Sequence, residues 1–437
     1  MLDLRLIRER PDELKAAIRR KGADPGLVDA VLEADRRRRD VLTRVEALRA
    51  AQNRASQEIP RLTGAEREAR IAEMKRIATE LRATEPELAA ADAAPETSLR
   101  RVPNPPHPGV PDGGPEASVT LRTFGEPPHP AFEMRDHVDL GTRLDMLDME
   151  RGAKVSGSRF AILRRDGALL EMALFRYAVD RLTGRGFVPV IPPVLVKREA
   201  VLGTMGGAGL DEQMVYRIEG EDLALAGTSE VALGAMLAGE VLDEADLPIR
   251  LVGISTCFRR EAGTHGKDTR GMFRVHQFDK VEMFSFCHPD RSWDEHTELV
   301  GIQESLWQGL GLPYRVVDIA AGDLGDPAAR KYDIETWMPG RGGYAETQSC
   351  SNCTDYQARR LNVRFRTPGQ RGLEYVHTLN GTAVASTRAI IAIMENFQDA
   401  GSGIKIPPAL RPYMDGRTEI APPRPMGPAS AGVPARP

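Results

Sequence analysis

The 437-residue sequence predicts an α+β protein, with an antiparallel helical hairpin at the N-terminus and a larger core built on a mostly antiparallel sheet. Three observations lead there. Apolar residues step by four and three through two successive stretches before residue 90. Pro60 and Gly64 interrupt that stepping between the stretches. From about residue 130 onward, helical runs alternate with short strand-like runs that follow no regular βαβ repeat.

In chain order, Pro11, Asp12 and Glu13 open a short helix with proline and carboxylates in its first turn, and Gly22 closes it. A coiled-coil stripe then runs through Leu27, Val31, Ala34, Val41, Val45, Leu48, Ala55, Ile59 and Leu62, with polar Arg38 and Gln52 in the seam. Thr63-Gly64-Ala65-Glu66 is a capping-box pattern that restarts a helix striped by Ile71, Met74, Ala78, Leu81 and Leu88, so the hairpin tip falls at 60–65. Arginines crowd the hairpin surface at 36–39, 44, 49, 54 and 61. Interspersed with carboxylates, they read either as a solvated helix face or as a grip on a phosphate backbone. Residues 1–100 thus form one unit. Residues 101–130 are a Pro/Gly-rich linker carrying Pro103, Pro105, Pro106, Pro108, Pro111 and Pro115, and 131–421 are the core. Within the core, 169–182 reads as helix, and 186–191, 274–278 and 281–286 read as strands. The Pro/Ala/Gly-rich tail 422–437 reads as disordered.

Composition narrows the function. Lys and Arg total 59 against 63 Asp and Glu, so there is no basic excess to coat nucleic acid and any such contact is local. No apolar run approaches the roughly 18 residues of a membrane span, and Met1 to Leu6 does not open a secretory signal, so the expected address is the cytoplasm, away from membranes. Four cysteines make no disulfide framework. Cys350 and Cys353, a lone C-x-x-C, read as half a zinc site, a redox pair or, preferably, small buried thiols. No glycine-rich phosphate loop follows any strand-like run.

The densest chemistry lies between Cys257 and Glu282, where Phe258-Arg259-Arg260-Glu261-Ala262-Gly263 leads through a glycine-punctuated loop to Arg270-Gly271-Met272-Phe273-Arg274-Val275-His276-Gln277-Phe278. With 186–193 before it and 379–398 after it, this segment resembles the three signature motifs of class II aminoacyl-tRNA synthetases, most closely the bacterial-type seryl-tRNA synthetases. Met1-Leu2-Asp3-Leu4-Arg5-Leu6, Val102-Pro103-Asn104, His137-Val138-Asp139-Leu140-Gly141 and Ser349-Cys350-Ser351-Asn352-Cys353 resemble further blocks of that family, so the resemblance spans nearly the whole chain. It implies a class II antiparallel-sheet catalytic core and attachment of serine to tRNA(Ser) through a seryl-adenylate, with tRNA(Sec) also serylated where present.

The resemblance also implies roles. Arg259 and Arg388 would be catalytic, Arg259 standing between the ATP α-phosphate and the serine carboxylate. ATP would be held by Arg259, Arg260, Glu261, Arg270, Phe273, Glu346, Thr347, Gln348, Ser349 and Arg388. Within that set Glu261 would meet the adenine amino group, Phe273 would stack on the base, and Arg270 with Arg388 would hold the outer phosphates. Serine would be held by Thr228, Ser229, Glu230, Arg259, Glu282 and Thr382. Glu346 and Ser349 would ligate Mg²⁺, which takes hard oxygen donors. Glu282 by itself also reads as a strand carboxylate paired with Lys280. Gln348 stands where the family usually has a small or hydroxyl residue, and either reshapes the nucleotide contacts or points away from the ligand. The resemblance further implies a homodimer with its first motif, around Pro192, at the interface, and a hairpin arm that reaches tRNA bound on the partner. A carrier-protein ligase would reuse this core without the arm, and a non-catalytic RNA-binding paralogue would lose the site residues.

Overall fold

A computed structural model describes residues 1–206, 215–261 and 270–422. The loop segment 262–269 and, apart from Pro422, the tail assigned to 422–437 lie outside the described residues.

The chain begins with two short helices, Leu4–Glu9 and Pro11–Arg20, and continues into two long ones, Gly26–Glu58 and Gly64–Leu99. At 1.5 Å rise per residue each long helix runs for about 50 Å. A single 3₁₀ turn, Ile59–Arg61, joins them. Their antiparallel register is visible in the ion pairs that cross between them: Arg38 with Asp92 at 2.8 Å, Arg44 with Glu87, and Arg70 with Glu58 near the tip. Val41, Val45 and Ala91 form the seam, with Leu81 and Leu88 packed against it.

Two details depart from the periodic reading. Val28 rather than Leu27 is fully buried at the start of the stripe, and the seam takes in a carboxylate, Asp35, with no solvent exposure. Asp35 accepts hydrogen bonds from Arg8 at 2.9 and 2.5 Å, which tie the first short helix to the base of the arm. Thr63 does cap the second long helix in extended conformation, but its side chain makes no capping hydrogen bond.

Within 101–130 the chain does more than connect. Asn104 donates to Pro327 O and Cys353 O, both at 2.8 Å, and Val119–Phe124 forms an edge strand of the main sheet. That sheet has eight strands in the spatial order Val119–Phe124, Tyr314–Asp318, Arg330–Met338, Gly343–Asn352, His377–Ala385, Gln277–Cys287, Ile249–Phe258 and Val188–Val190. Every neighbouring pair is antiparallel except the last, which is parallel. Of the stretch 186–191 only Val188–Val190 is strand, and the stretch 274–278 becomes strand only from Gln277: Arg259 N still donates to His276 O at 2.9 Å, but the His276 N–H turns away to Arg159 O at 3.0 Å.

The helices Asp166–Thr183, Ser292–Leu310 and Ser386–Asn396 share one hydrophobic core with the sheet, built on Leu174, Leu299, Trp307, Val281, Met283 and Ile390. Strand alternation turns Val281, Met283 and Leu379 toward that core and Lys280, Glu282, Asn380 and Thr382 toward the opposite face. That opposite face carries the site.

The hydrogen bond from Arg8 holds the buried Asp35 carboxyl below the ordinary range, outweighing burial, which raises it. Its ionised form therefore stabilises the fold above the unfolded carboxyl pKa of about 4, and that stabilisation fades as pH falls through the lower folded value. Asp35→Asn is expected to destabilise the arm by about 1–3 kcal/mol at neutral pH, with the gap to the parent closing below about pH 4, as measured by urea unfolding followed by circular dichroism.

Candidate functional site: a charge-sorted cleft on the open sheet face

Two neighbouring strands build the site by failing to pair regularly. Gly343–Asn352 and His377–Ala385 pair only at Cys350 with Gly381, Ser351 with Asn380 and Asn352 with Leu379. Beyond that point the ladder opens. Each strand carries a bulge at that level: Thr347 is the extra residue between Gln348 and Glu346, and Ala383 the extra one between Thr382 and Val384. Two glutamine amides take over where the backbone bonds stop. Gln303 Nε2 donates to Ser349 O and Thr382 O, both at 2.8 Å, and Gln348 Nε2 donates to Ala383 O at 2.7 Å.

The opening leads to a cleft of about 150 Å³. Of the residues expected there, Thr228, Glu230, Arg259, Glu261, Phe273, Glu282, Glu346, Thr347, Ser349, Thr382 and Arg388 line it. Four do not. Ser229 is buried, and its hydroxyl lies 2.6 Å from where a Cβ on Gly253 would stand, so it packs against the neighbouring strand. Arg260 is exposed outside the lining. Arg270 pairs instead with Asp136 and, at 2.9 Å, with Asp139 at the start of the helix His137–Arg143. Gln348 is wholly buried in the strand gap, so its amide is a structural tie and does not contact the cleft. Thr347 borders the cleft, yet its hydroxyl turns inward, donating to Ile334 O at 3.0 Å and bonding the Thr336 hydroxyl at 2.7 Å.

The cleft also contains residues that motif reasoning passed over, among them Arg274, Phe278, Lys280 and Asn380. The signal for two of them was present. Phe278, Lys280 and Glu282 alternate along one strand, so the period of two that points Glu282 into the site points the others there as well.

Charge in the cleft falls into two groups. At one end Lys280 Nζ lies 2.6 Å from Glu282 Oε2, both side chains buried, and Thr382 Oγ1 donates to the same carboxylate oxygen at 3.1 Å. Glu230 lies beside them with Oε1 accepting from Gln357 at 2.7 Å and Asn380 at 3.0 Å. Burial first, and then the charge of Glu282, push Glu230 up to about 7 despite Lys280. Two carboxylates thus share one lysine, an imbalance that a ligand cation would relieve.

At the other end the cations dominate. Arg259 Nε donates to Gly227 O at 3.2 Å, and its guanidinium lies over the Phe278 ring. Arg274 pairs with Glu261 at 2.6 Å. Arg388 donates to Glu346 O at 2.9 Å and pairs with its carboxylate at 3.2 Å, while Arg388 and Arg341 both lie over Phe273. Burial raises the Glu346 carboxyl, but Arg388, Lys331 and Arg259 together outweigh it and hold the group below its ordinary range.

Glu346 and Ser349 offer hard oxygen donors on one lip of the cleft, a set that fits a magnesium ion. On the neighbouring strand Asp333 is the register partner of Ser349, and its buried Oδ1 finds no hydrogen-bond partner among the described residues. All four cysteines are buried free thiols.

An antiparallel sheet with this arginine-lined cleft is the catalytic core of a class II synthetase: residues 214–397 match the model of the tRNA synthetase class II core domain (G, H, P, S and T). Residues 1–106 match the seryl-tRNA synthetase N-terminal domain. The chain is 49% identical to the serine--tRNA ligase of Acidothermus cellulolyticus over 95% of its length and 98% of that protein. It is 47% identical to that of Streptomyces coelicolor over 97% and 99%. Among solved structures, it superposes on the seryl-tRNA synthetase from Pyrococcus horikoshii complexed with ATP with a TM-score of 0.91, at 42% identity, covering 97% of this chain and 100% of that one. The cytoplasmic serine-tRNA ligase from Naegleria fowleri in complex with AMP gives 0.85 at 34% identity, covering 96% and 99%. The chain belongs to the seryl-tRNA synthetase family.

Because Gln348 closes the strand gap and does not face the cleft, Gln348→Ser leaves Ala383 O without its donor. The expected cost is about 1–3 kcal/mol of stability by denaturant unfolding, with KM for ATP changed less than about two-fold, since no group in the cleft is removed.

Proposed function

We propose that this chain joins serine to ATP as seryl-adenylate and passes the seryl group to tRNA(Ser), and to tRNA(Sec) where that acceptor is present. The observation that carries this reading is the pairing, in one small cleft, of a buried carboxylate lacking a full counter-charge with a nearby guanidinium: Glu230 for an ammonium group and Arg259 for a carboxylate. That is the complement of a free amino acid. Thr228 borders the ammonium end, and Glu282 with Thr382 meets a side-chain hydroxyl. A site built to hydrogen-bond that hydroxyl rejects alanine by about 10⁴ or more, because the analogue leaves buried polar groups unpaired.

Activation brings a carboxylate onto the α-phosphorus of ATP, an attack of one anion on another, so catalysis needs cations between them and no general base. Arg259 supplies that charge. Arg274 lines the cleft and Arg270 does not, so the phosphate role falls to Arg274 with Arg388. Phe278 gives the adenine its aromatic surface, its ring carrying Arg259 where the Phe273 ring carries both Arg341 and Arg388, and Glu261 accepts from the adenine amino group. Glu346 and Ser349 would hold magnesium, which would neutralise phosphate charge.

The arm supplies tRNA affinity. Arg38 and Arg44 are engaged across the hairpin, whereas no carboxylate among the described residues pairs with exposed Arg49, Arg54 and Arg61. Those three are the phosphate contacts of this reading. The arm also argues against a carrier-protein ligase, and the intact cleft against a non-catalytic paralogue. Exposed Val188, in the parallel edge strand, and Ile191, just after it, suit burial in a homodimer around Pro192, with the reaction in the cytoplasm.

Serine-dependent ATP–pyrophosphate exchange, followed by charging of tRNA, tests the whole proposal. Deleting the arm, about residues 30–90, is expected to spare exchange and to lower charging severely. Loss of exchange in a folded deletion variant would show that the arm serves the chemistry itself. Arg274→Ala is expected to lower kcat/KM for exchange by about 10²-fold or more, and Arg270→Ala by less than about ten-fold. The reverse order would return the phosphate role to Arg270.

A further inference from the structure

Gln357 lies in the short helix Tyr356–Leu361, has no solvent exposure, and does not line the cleft. Its amide is nevertheless used on every side. Nε2 donates to Glu230 Oε1 at 2.7 Å and to Thr204 O at 3.0 Å, while Oε1 accepts from Thr378 Oγ1 at 2.7 Å. The orientation follows from chemistry: the Thr204 carbonyl can only accept, so the NH₂ end must face it.

The helix is held in place from its far side. Arg360, one turn along, donates to Leu202 O at 3.0 Å, to Arg100 O at 2.6 Å and to the Tyr356 hydroxyl at 2.7 Å, and that hydroxyl donates to Val102 O at 3.2 Å. The amide therefore approaches Glu230 from a fixed frame that reaches back to the base of the arm.

We propose that Gln357 is a positioning residue for the amino-acid site, holding the Glu230 carboxylate ionised and in the orientation that receives the substrate's ammonium group. This rests on the reading of Glu230 given above.

The groups facing Glu230 show why such help is needed. Glu282 on the strand Gln277–Cys287 opposes its charge, while Lys280 and Arg259 favour it. Asn380 on the next strand donates to the same oxygen and also lies 3.7 Å from the buried Cys353 thiol. Burial already raises the carboxyl to about 7, so removing one of its two amide donors raises it further and leaves more of the neutral form at neutral pH. A neutral carboxyl binds an ammonium group poorly, and the deficit shrinks as rising pH restores the charge.

The test is ATP–pyrophosphate exchange by the full-length Gln357→Leu protein, with serine titrated from about pH 6.5 to about pH 8.5. Near pH 7 the serine KM is expected to rise at least about ten-fold, with kcat and the ATP KM within about two-fold of the parent. The rise should diminish toward the alkaline end. Thr378→Val, which keeps the amide but removes the hydroxyl that anchors it, should show a smaller rise with the same pH trend, and it carries the test if the leucine variant does not fold. A rise of equal size at every pH, or an equal loss for both substrates, would mean that Gln357 serves only packing and would overturn the proposal. Glu230→Gln separates the two readings. If it loses serine affinity while the Gln357 and Thr378 variants do not, the positioning role alone fails. An unchanged serine KM in Glu230→Gln removes Glu230 as the ammonium ligand, and the role of Gln357 with it.

Discussion

The site depends on a sheet that stops pairing. Between Gly343–Asn352 and His377–Ala385 the backbone ladder runs for three register pairs and then opens, because each strand inserts one extra residue at the same level. An opened ladder leaves buried carbonyls that must be satisfied. Gln303, from the helix on the core side, and Gln348, from within the strand, donate to three of them. What the two amides hold apart is the pair of lips: Glu346 and Ser349 on one, Thr382 on the other, with Arg388 in the first turn of the helix that follows. A regular ladder would have placed these groups side by side, with no room for a ligand between them.

On that gap the charges are sorted. Carboxylates and one lysine gather at one end of the cleft and guanidiniums dominate the other. The rings of Phe273 and Phe278 lie beneath guanidiniums, so they brace the cations as well as offering apolar surface. Charges fixed in this way are in place before a ligand arrives and need no reorganisation to act on it.

The N-terminal unit is joined to this core by polar contacts to backbone. Lys21 Nζ donates to the carbonyls of Gly325, Asp326 and Ala328, Arg360 reaches Arg100 O, and Tyr356 belongs to the same apolar cluster as Ile7, Ile18 and Leu99. The helix Tyr356–Leu361 therefore meets the base of the arm on one side and, through Gln357, Glu230 of the cleft on the other. Docking that uses carbonyls is indifferent to the identity of the residues that present them, so no residue pattern in 325–328 announces it.

The sequence by itself determined the α+β class, the hairpin and its tip near 60–65, because those follow from local periodicity and from Pro60 and Gly64, which act within a few residues of themselves. It determined the family, because the motif blocks are long and ordered. It also determined most of the cleft, Arg259, Glu261, Glu282, Glu346 and Arg388 among its residues. What only the tertiary structure decided was the direction in which each motif side chain points. Arg270 and Arg274 are four residues apart with identical chemistry, yet one turns to Asp136 and Asp139 and the other to Glu261. Ser229 and Gln348 sit among site residues and face the core. Asp35 occupies a seam position because Arg8, 27 residues earlier, reaches it. Gln357 meets Glu230 across 127 residues of chain. In each case the deciding partner lies on another element, brought there by sheet order and bulges that no local spacing encodes.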